Sequence, residues 1–198
     1  TESCGGDTFM DPGREIEKIG STGRALPHVE IQIRDEEGNI QDVGVEGEIC
    51  LRGPKIFKSY WQDPEKTRNA FYNDVFRSGD AGYLDSDGFL FVTDRIKDMI
   101  LSGGENISSL EVERVILELS EVDEVAVFGI LDPKWGEVPV AAIVCTSGKS
   151  LDLDTLKAHC RKSLASFKVP KGILLKEALP RNPSGKILKR LLRRDVNL

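Results

Sequence analysis

Five short segments carry side chains whose type and setting suit chemistry on an anionic, oxygen-rich ligand. Thr1-Glu2 puts a hydroxyl beside a carboxylate, a pair that can touch a phosphate and hold Mg²⁺, which prefers oxygen ligands. A plain polar terminus accounts for the same two residues. Phe76-Arg77-Ser78-Gly79-Asp80 sets an acid after a glycine turn, just before a strand. A carboxylate held there can accept from both hydroxyls of a ribose diol; a turn Asp bonding its own backbone is the alternative. Ser102-Gly103-Gly104-Glu105-Asn106 is a glycine loop leading to a helix N-terminus, where close backbone approach and free N–H groups favour an anion or a carbonyl. No Gly-Lys-Ser/Thr follows, so it is not a P-loop, and a tight turn fits as well. Pro180-Arg181-Asn182-Pro183-Ser184-Gly185-Lys186 ends in a lysine presented after a turn as a point charge for carboxylate or phosphate oxygens. From Arg181 to Leu198 there are six Lys or Arg and one acid, which also fits a solvated basic helix or a weak nucleic-acid patch. Thr93-Asp94-Arg95-Ile96-Lys97-Asp98 is either a surface ion-pair cluster or a hinge, where a few residues absorb rotation between two domain positions.

The elements around these segments divide near residues 94–98. Residues 1–20 read mostly as loop. Val29, Ile31 and Ile33 alternate as one face of a strand, and Gly47–Arg52 reads as a second. Asp63-Pro64-Glu65 opens a helix with an N-cap acid and a proline at the first helical position; it is expected to run to about Tyr72. Strands at 82–85 and 89–93 flank the hairpin loop Asp85-Ser86-Asp87-Gly88. Residues 21–94 thus predict a small antiparallel β-unit with one helix. Beyond the joint, Ser108-Ser109-Leu110-Glu111 matches a capping box, and Leu110, Val112, Val115, Ile116 and Leu119 recur at helical spacing. Strands are expected at 124–130, 138–145 and 172–176, a helix at 152–164 and a basic terminal helix at 186–194. The mixture predicts a compact α+β domain.

Composition narrows the class. The 198 residues are 39% hydrophobic, too apolar for a disordered chain. The formal charge of −6 argues against a dedicated nucleic-acid binder. No apolar run approaches the roughly 20 residues of a membrane helix, and no signal peptide opens the chain. Cys4, Cys50, Cys145 and Cys160 are too far apart in sequence for a zinc knuckle or a redox pair, so a reducing, cytoplasmic setting is expected. The chain lacks a starting Met and reads as a processed or truncated piece.

Taken together and in order, the segments resemble the adenylate-forming family of acyl-CoA synthetases, luciferases and peptide-synthetase adenylation domains. Thr1-Glu2 looks like the end of the Tyr-Gly-x-Thr-Glu motif, and Arg77-Ser78-Gly79-Asp80 like the Arg/Lys-Ser/Thr-Gly-Asp motif. Asp94–Asp98 with Gly104 and Glu111 looks like the hinge motif with its glycine loop and acidic helix. Pro183-Ser184-Gly185-Lys186 looks like the terminal Ser/Thr-Gly-Lys motif. Gly103-Gly104-Glu105-Asn106 followed by Ile107-Ser108-Ser109 is similar to carboxylic-acid and fatty-acyl CoA ligases. The Lys-x-Arg-Gly stretch of peptide-synthetase domains is absent, and Leu101 stands where luciferase-like members have Lys.

The resemblance implies an α+β fold: residues 1–94 as the distorted antiparallel β-barrel portion of a large domain, residues 95–198 as a hinge and a compact, mobile C-terminal lid. It implies activation of a carboxylic acid, fatty by the loop's likeness, by ATP to acyl-adenylate, then transfer to CoA. Glu2 would hold Mg²⁺, Thr1 would contact phosphate or acyl oxygens, and Asp80 would accept from the ribose diol with Arg95 assisting. Lys186 would bridge the attacking carboxylate and the α-phosphate. The lid would turn about Lys97, withdrawing Lys186 and bringing Gly103, Gly104 and Glu105 to line the pantetheine channel. The family's phosphate loop, adenine-stacking residues and acid pocket precede Thr1, so the chain is expected to hold half a nucleotide site, to be inactive alone and to expose apolar surface that invites self-association. The rival readings are an adenylation enzyme loading a carrier protein, a stand-alone lid-like binding module and, third, a nucleic-acid module.

Overall fold

A computed structural model describes residues 2–196. The chain forms two compact units, Thr1–Ile96 and Lys97–Leu198, each considered by itself.

The first unit is a curled antiparallel half-barrel sheet. Its strands are β1 (Thr8–Phe9), β2 (Ser21–Ala25), β3 (Glu30–Arg34), β4 (Gly47–Arg52), β5 (Phe71–Tyr72), β6 (Val75–Leu84) and β7 (Phe89–Arg95). The order is β1-β2-β7-β6-β4-β3, with β5 folded onto β6. Alternation selects the core: Ile33, Ile49, Leu51, Phe76 and Leu90 pack together with Val29. Helix α1 (Pro64–Asn69) starts where expected, with the Asp63 carboxylate accepting from Lys66 N–H at 2.9 Å. It stops three residues short of Tyr72. Asn73 takes a positive φ of 56°, so the chain reverses there, and Phe71 and Tyr72 pair with Phe76 and Val75. Residues 2–20 are mostly turns, as expected, broken by the two-residue β1, which pairs with β2.

The 82–93 hairpin is tied to the segment before β2. Lys18 Nζ lies 2.8 Å from Asp85 and 2.7 Å from Asp87, and Arg14 reaches Asp87 at 3.0 Å. The Lys18 hydrogen bonds to Asp85 and Asp87 raise the lysine's pKa. At Asp85 burial works upward, and the Lys18 bond together with the Phe89 and Asp87 backbone N–H bonds outweighs it; at Asp87 the Lys18 bond dominates, so both carboxyls lie below their ordinary value. Depressed carboxyl pKa values give stability that is present above the unfolded value of about 4 and is lost as pH falls through the folded ones. A Lys18→Met chain is therefore expected to lose stability less steeply between about pH 4 and 2 than the parent, read by urea unfolding across that range. Equal slopes would refute the assignment.

The second unit has a five-stranded sheet of β8 (Ile100–Ser102), β9 (Glu105–Ile107), β10 (Val122–Asp132), β11 (Gly136–Cys145) and β12 (Gly172–Leu175). Its order is β10-β11-β8-β9; β12 joins β11 in parallel and the other pairs are antiparallel. The nearly unbroken apolar runs of β10 and β11 are those of strands buried on both faces. Val125, Val127, Ala141 and Ile143 face α2 (Ser109–Ile116) and α3 (Leu153–Cys160). Ala126, Phe128, Val140 and Ala142 meet Leu179 and Leu192 from the C-terminal segment. The N-cap half of the capping box forms, with Ser108 Oγ accepting from Glu111 N–H at 3.2 Å, while the Glu111 carboxylate takes Lys168 Nζ at 2.8 and 2.6 Å. Val112, Val115 and Ile116 are buried, whereas Leu110 is exposed. The expected long terminal helix is only α4 (Lys189–Leu192) with a 3₁₀ turn after it. Lys189 Nζ binds Glu113 Oε1 at 2.8 Å and Ser109 Oγ at 2.6 Å, tying α4 to α2. Glu113 Oε1 also accepts from Val127 N–H at 2.8 Å, and Arg193 Nε donates to Gly129 O at 3.3 Å. Among the described residues no helix is long and apolar enough to cross a membrane.

Candidate functional site

The acid of the Arg77–Asp80 segment does not sit on a loop before a strand; it lies inside β6, in a bulge. Between Cys50↔Arg77 and Glu48↔Ala81, β4 advances two residues while β6 advances four. The surplus is two residues: Ser78, Gly79 and Asp80 stand where β4 has Ile49 alone and leave the β4–β6 ladder, with Gly79 at a φ of +74° that suits glycine. Asp80 faces Arg95 across β6 and β7, and its Oδ1 lies 2.7 Å from Arg95 Nε. Both side chains are part-exposed, so the carboxylate's second oxygen edge stays open to a ligand's hydroxyls. This pair is the one the resemblance assigns to a ribose.

Two neighbours that sequence reasoning passed over shape the bulge. Glu48, only 7% exposed, takes Arg77 through Nε at 2.9 Å and Nη2 at 2.8 Å, and accepts from Gly79 N–H at 3.2 Å. Arg77 also stacks on the Tyr72 ring, 4.3 Å from its centre. Burial works against the Arg77 charge, and the Glu48 hydrogen bond and the Glu48 charge together outweigh it and raise the pKa. Cys50, on the same face of β4 as Glu48, is pushed up to about 12 by burial and the Glu48 charge, so its thiol is inert. The available signal was an acid on the buried period of an apolar strand, Gly47-Glu48-Ile49-Cys50-Leu51.

Thr1 lies outside the described residues. Glu2 is tied into an aromatic cluster: its carboxylate accepts from the Tyr60 hydroxyl at 3.0 Å, and its backbone oxygen accepts from Phe57 N–H at 2.8 Å. Its own backbone N–H and the Tyr60 hydroxyl hold its carboxyl below the ordinary value. Among the described residues no group of three or more His, Cys, Asp or Glu converges as a metal cage. A single carboxylate still suits Mg²⁺, which is commonly bound through one or two carboxylates plus phosphate oxygens and water.

In the second unit the glycine loop is a hairpin turn. Ser102 pairs with Glu105, and Gly103 and Gly104, both at positive φ (62° and 87°), form the two-residue connection between β8 and β9. Gly103 N–H donates to Trp135 O at 2.7 Å. A Cβ at Gly103 would meet the Trp135 ring at 3.0 Å, whereas one at Gly104 would meet open space. Trp135, half-exposed and absent from the expected site, thus forms a wall beside the turn; Glu105 is exposed at its far end. Lys97 is exposed in a 3₁₀ turn, Ile96–Asp98, as the first residue of the second unit.

Lys186 sits on a structured loop rather than in a helix. Asn182 Oδ1 accepts from Ser184 N–H, Ser184 Oγ and Lys186 N–H at 3.1, 2.8 and 2.8 Å, and Asn182 N–H donates to Lys186 O at 2.9 Å. Arg181 closes the loop by donating to Gly185 O at 2.7 Å and is itself held by Glu124 at 2.9 Å. The backbone of Lys186 is pinned while its side chain is exposed, which suits a cation offered to a ligand. Asn182 stands inside the motif, and sequence reasoning assigns it no role.

With that geometry in place, two family models match the chain: the AMP-binding enzyme model over residues 1–61 and the AMP-binding enzyme C-terminal domain model over residues 111–186. The chain belongs to the AMP-binding enzyme family. It is similar to long-chain-fatty-acid–CoA ligase FadD13 of Mycobacterium tuberculosis, 45% identical over 197 residues, covering 100% of this chain and 39% of the relative. It is similar to 2-succinylbenzoate–CoA ligase of Listeria innocua, 45% identical over 193 residues, covering 98% and 39%. Among solved structures it resembles o-succinylbenzoate CoA synthetase of Bacillus subtilis in complex with the acyl-adenylate intermediate, with a TM-score of 0.92, 39% identity, and 97% and 39% of the two chains covered. That enzyme has also been solved with ATP and magnesium ion. The chain of this AMP-binding family member spans about 39% of the length of these relatives.

Proposed function

We propose that the protein to which this chain belongs is an AMP-forming acyl-CoA ligase. The observation that carries the proposal is the 45% likeness, running through both units, to relatives named as CoA ligases. In the first half-reaction a substrate carboxylate attacks the α-phosphorus of ATP, forming acyl-adenylate and releasing pyrophosphate. In the second the CoA thiol attacks the acyl carbon and AMP leaves. Asp80 accepts from the ribose diol while Arg95 holds it in place, and the pinned Lys186 spreads the charge that develops between carboxylate and α-phosphate. Glu2 would hold Mg²⁺, which neutralises phosphate charge when bound, and Thr1 would contact phosphate or acyl oxygens. The substrate is a carboxylic acid; the fatty-acid reading fits the Mycobacterium relative and not the succinylbenzoate enzymes.

The second unit is proposed as a lid turning about Lys97, an exposed residue where the two units divide. One position presents Lys186; the other presents Gly103, Gly104 and Glu105 with the Trp135 wall to the pantetheine arm of CoA. A cytoplasmic setting agrees with four free cysteines, two of them buried. On this reading the chain alone turns nothing over, and exposed apolar residues such as Ile16, Ile19 and Trp61 would support self-association.

The test is AMP release and acyl-CoA formation by the full-length protein with ATP, Mg²⁺, CoA and a panel of aliphatic and aromatic acids. Absence of AMP with every acid, or transfer to a carrier protein in place of CoA, would refute it. Gly104→Leu tests the thiol face. Its side chain would project into the open space beside the turn, at a φ of +87° that a leucine rarely adopts. Thioester formation from supplied acyl-adenylate is expected to fall at least ~10-fold with adenylation nearly unchanged, since small displacements of reacting groups cost about 10²-fold. Equal losses in both steps would count against a rotating lid.

A further inference from the structure

We propose that Glu48 is a positioning residue for nucleotide recognition: its carboxylate holds the β6 bulge in the shape that presents Asp80 to the ribose. The proposal rests on the reading of Asp80 as the ribose acceptor. Ser78, Gly79 and Asp80, three residues opposite one of β4, leave the β4–β6 ladder, so the backbone groups there lose their regular partners on that side. Glu48 replaces them. One oxygen takes Gly79 N–H at the centre of the bulge, and the other takes the Arg77 guanidinium through two nitrogens at its start. Arg77 is fixed in turn by the Tyr72 ring and by its own N–H, which donates to Ala70 O at 2.9 Å. At the other end of the bulge Asp80 is held by Arg95. The bulge is therefore clamped on both sides, and Asp80 is its last residue.

A carboxylate is required by the donors it faces. Two guanidinium N–H groups and one backbone N–H converge on it, and an anion can accept all three. Glutamine at the same place would turn an NH₂ group toward at least one of these donors, so one end of the bulge would be released. Glu48 is buried in β4 and acts from behind, through the Gly79 backbone N–H and the Arg77 guanidinium. Its loss should therefore blur the recognition of the sugar hydroxyls rather than remove a group from the reaction.

The experiment compares ATP with dATP in the adenylation half-reaction of the full-length protein, as the ratio of kcat/KM values. Glu48→Gln is expected to shrink the preference for ATP by about tenfold, by lowering the ATP value more than that for dATP, which has one hydroxyl fewer to lose, in keeping with the cost of displaced positioning groups. Cys50→Ala, on the same face of β4, serves as a packing control and should leave the ratio unchanged. If Glu48→Gln does not fold, Glu48→Asp, which keeps the charge and shortens the reach, is read in the same way. An Asp80→Asn variant that loses the preference while the Glu48 variant keeps it would overturn the role of Glu48 alone. An Asp80→Asn variant that keeps the preference would overturn the reading of Asp80, and this proposal with it. A Cys50→Ala ratio that falls with that of Glu48→Gln would reduce the effect to general loosening of the strand and also overturn the proposal.

Discussion

Lys186→Ala in the full-length protein is expected to slow acyl-adenylate formation by about 10²–10³-fold, the usual cost of deleting one electrostatic contact to a transition state. Thioester formation from supplied acyl-adenylate is expected to change by less than about twofold, because the contact belongs to the first step only. The loop's construction makes the variant informative. Asn182 and Arg181 fix the backbone through groups that the substitution leaves alone, and the Lys186 side chain is exposed. Loss of the ammonium should therefore act on the reaction and not on folding. Separate assays of pyrophosphate release and of CoA consumption distinguish the steps; comparable losses in both would show that Lys186 does not act as proposed.

The second large effect is on stability. Glu113 and Lys189 are 13% and 14% exposed and meet at 2.8 Å between α2 and α4. Truncating one partner of a buried pair leaves the other uncompensated and costs about 3–5 kcal/mol. Residual exposure places Glu113→Ala at the lower end, about 3 kcal/mol. Replacing both partners by apolar residues, as in Glu113→Leu with Lys189→Met, should recover most of that loss. Urea unfolding of the second unit followed by far-ultraviolet circular dichroism checks both. A loss below about 1 kcal/mol for Glu113→Ala would place the pair among ordinary surface bridges.

What could be read from the sequence was what neighbouring residues decide. Asp63-Pro64 and Ser108-Ser109-Leu110-Glu111 announce helix starts because their caps act within three residues, and both formed. The alternation of Val29, Ile31 and Ile33 marks the inward side of β3 and the residue before it, with Val29 and Ile33 buried. The glycine pair Gly103-Gly104 was noticed, but its place in a hairpin depends on Ser102 pairing with Glu105. Phe71 and Tyr72 were read as the end of a helix because the reversal depends on a positive φ at Asn73, which a single asparagine does not announce. The site's acids and bases were legible as motifs; their geometry was not. Asp80 lies in a bulge against which Glu48 packs, at 29 and 31 residues from its partners Arg77 and Gly79. No local pattern encodes such a contact.

The bonds of Glu113 and Arg193 have a further consequence, for how this protein meets copies of itself. β10 is an outer strand of its sheet and eleven residues long, the kind of edge on which foreign strands add and aggregates grow. Its partner β11 has Pro139 opposite Gly129 and Ala141 opposite Val127. The Val127 N–H and the Gly129 C=O turn to side chains instead, to a carboxylate from α2 and a guanidinium from beyond α4. A strand arriving from another molecule would need those same two groups as its donor and acceptor. α2 and the C-terminal segment that carries Lys186 thus close the edge together, one at Val127 and the other at Gly129, and release of the C-terminal segment would free the Gly129 carbonyl alone.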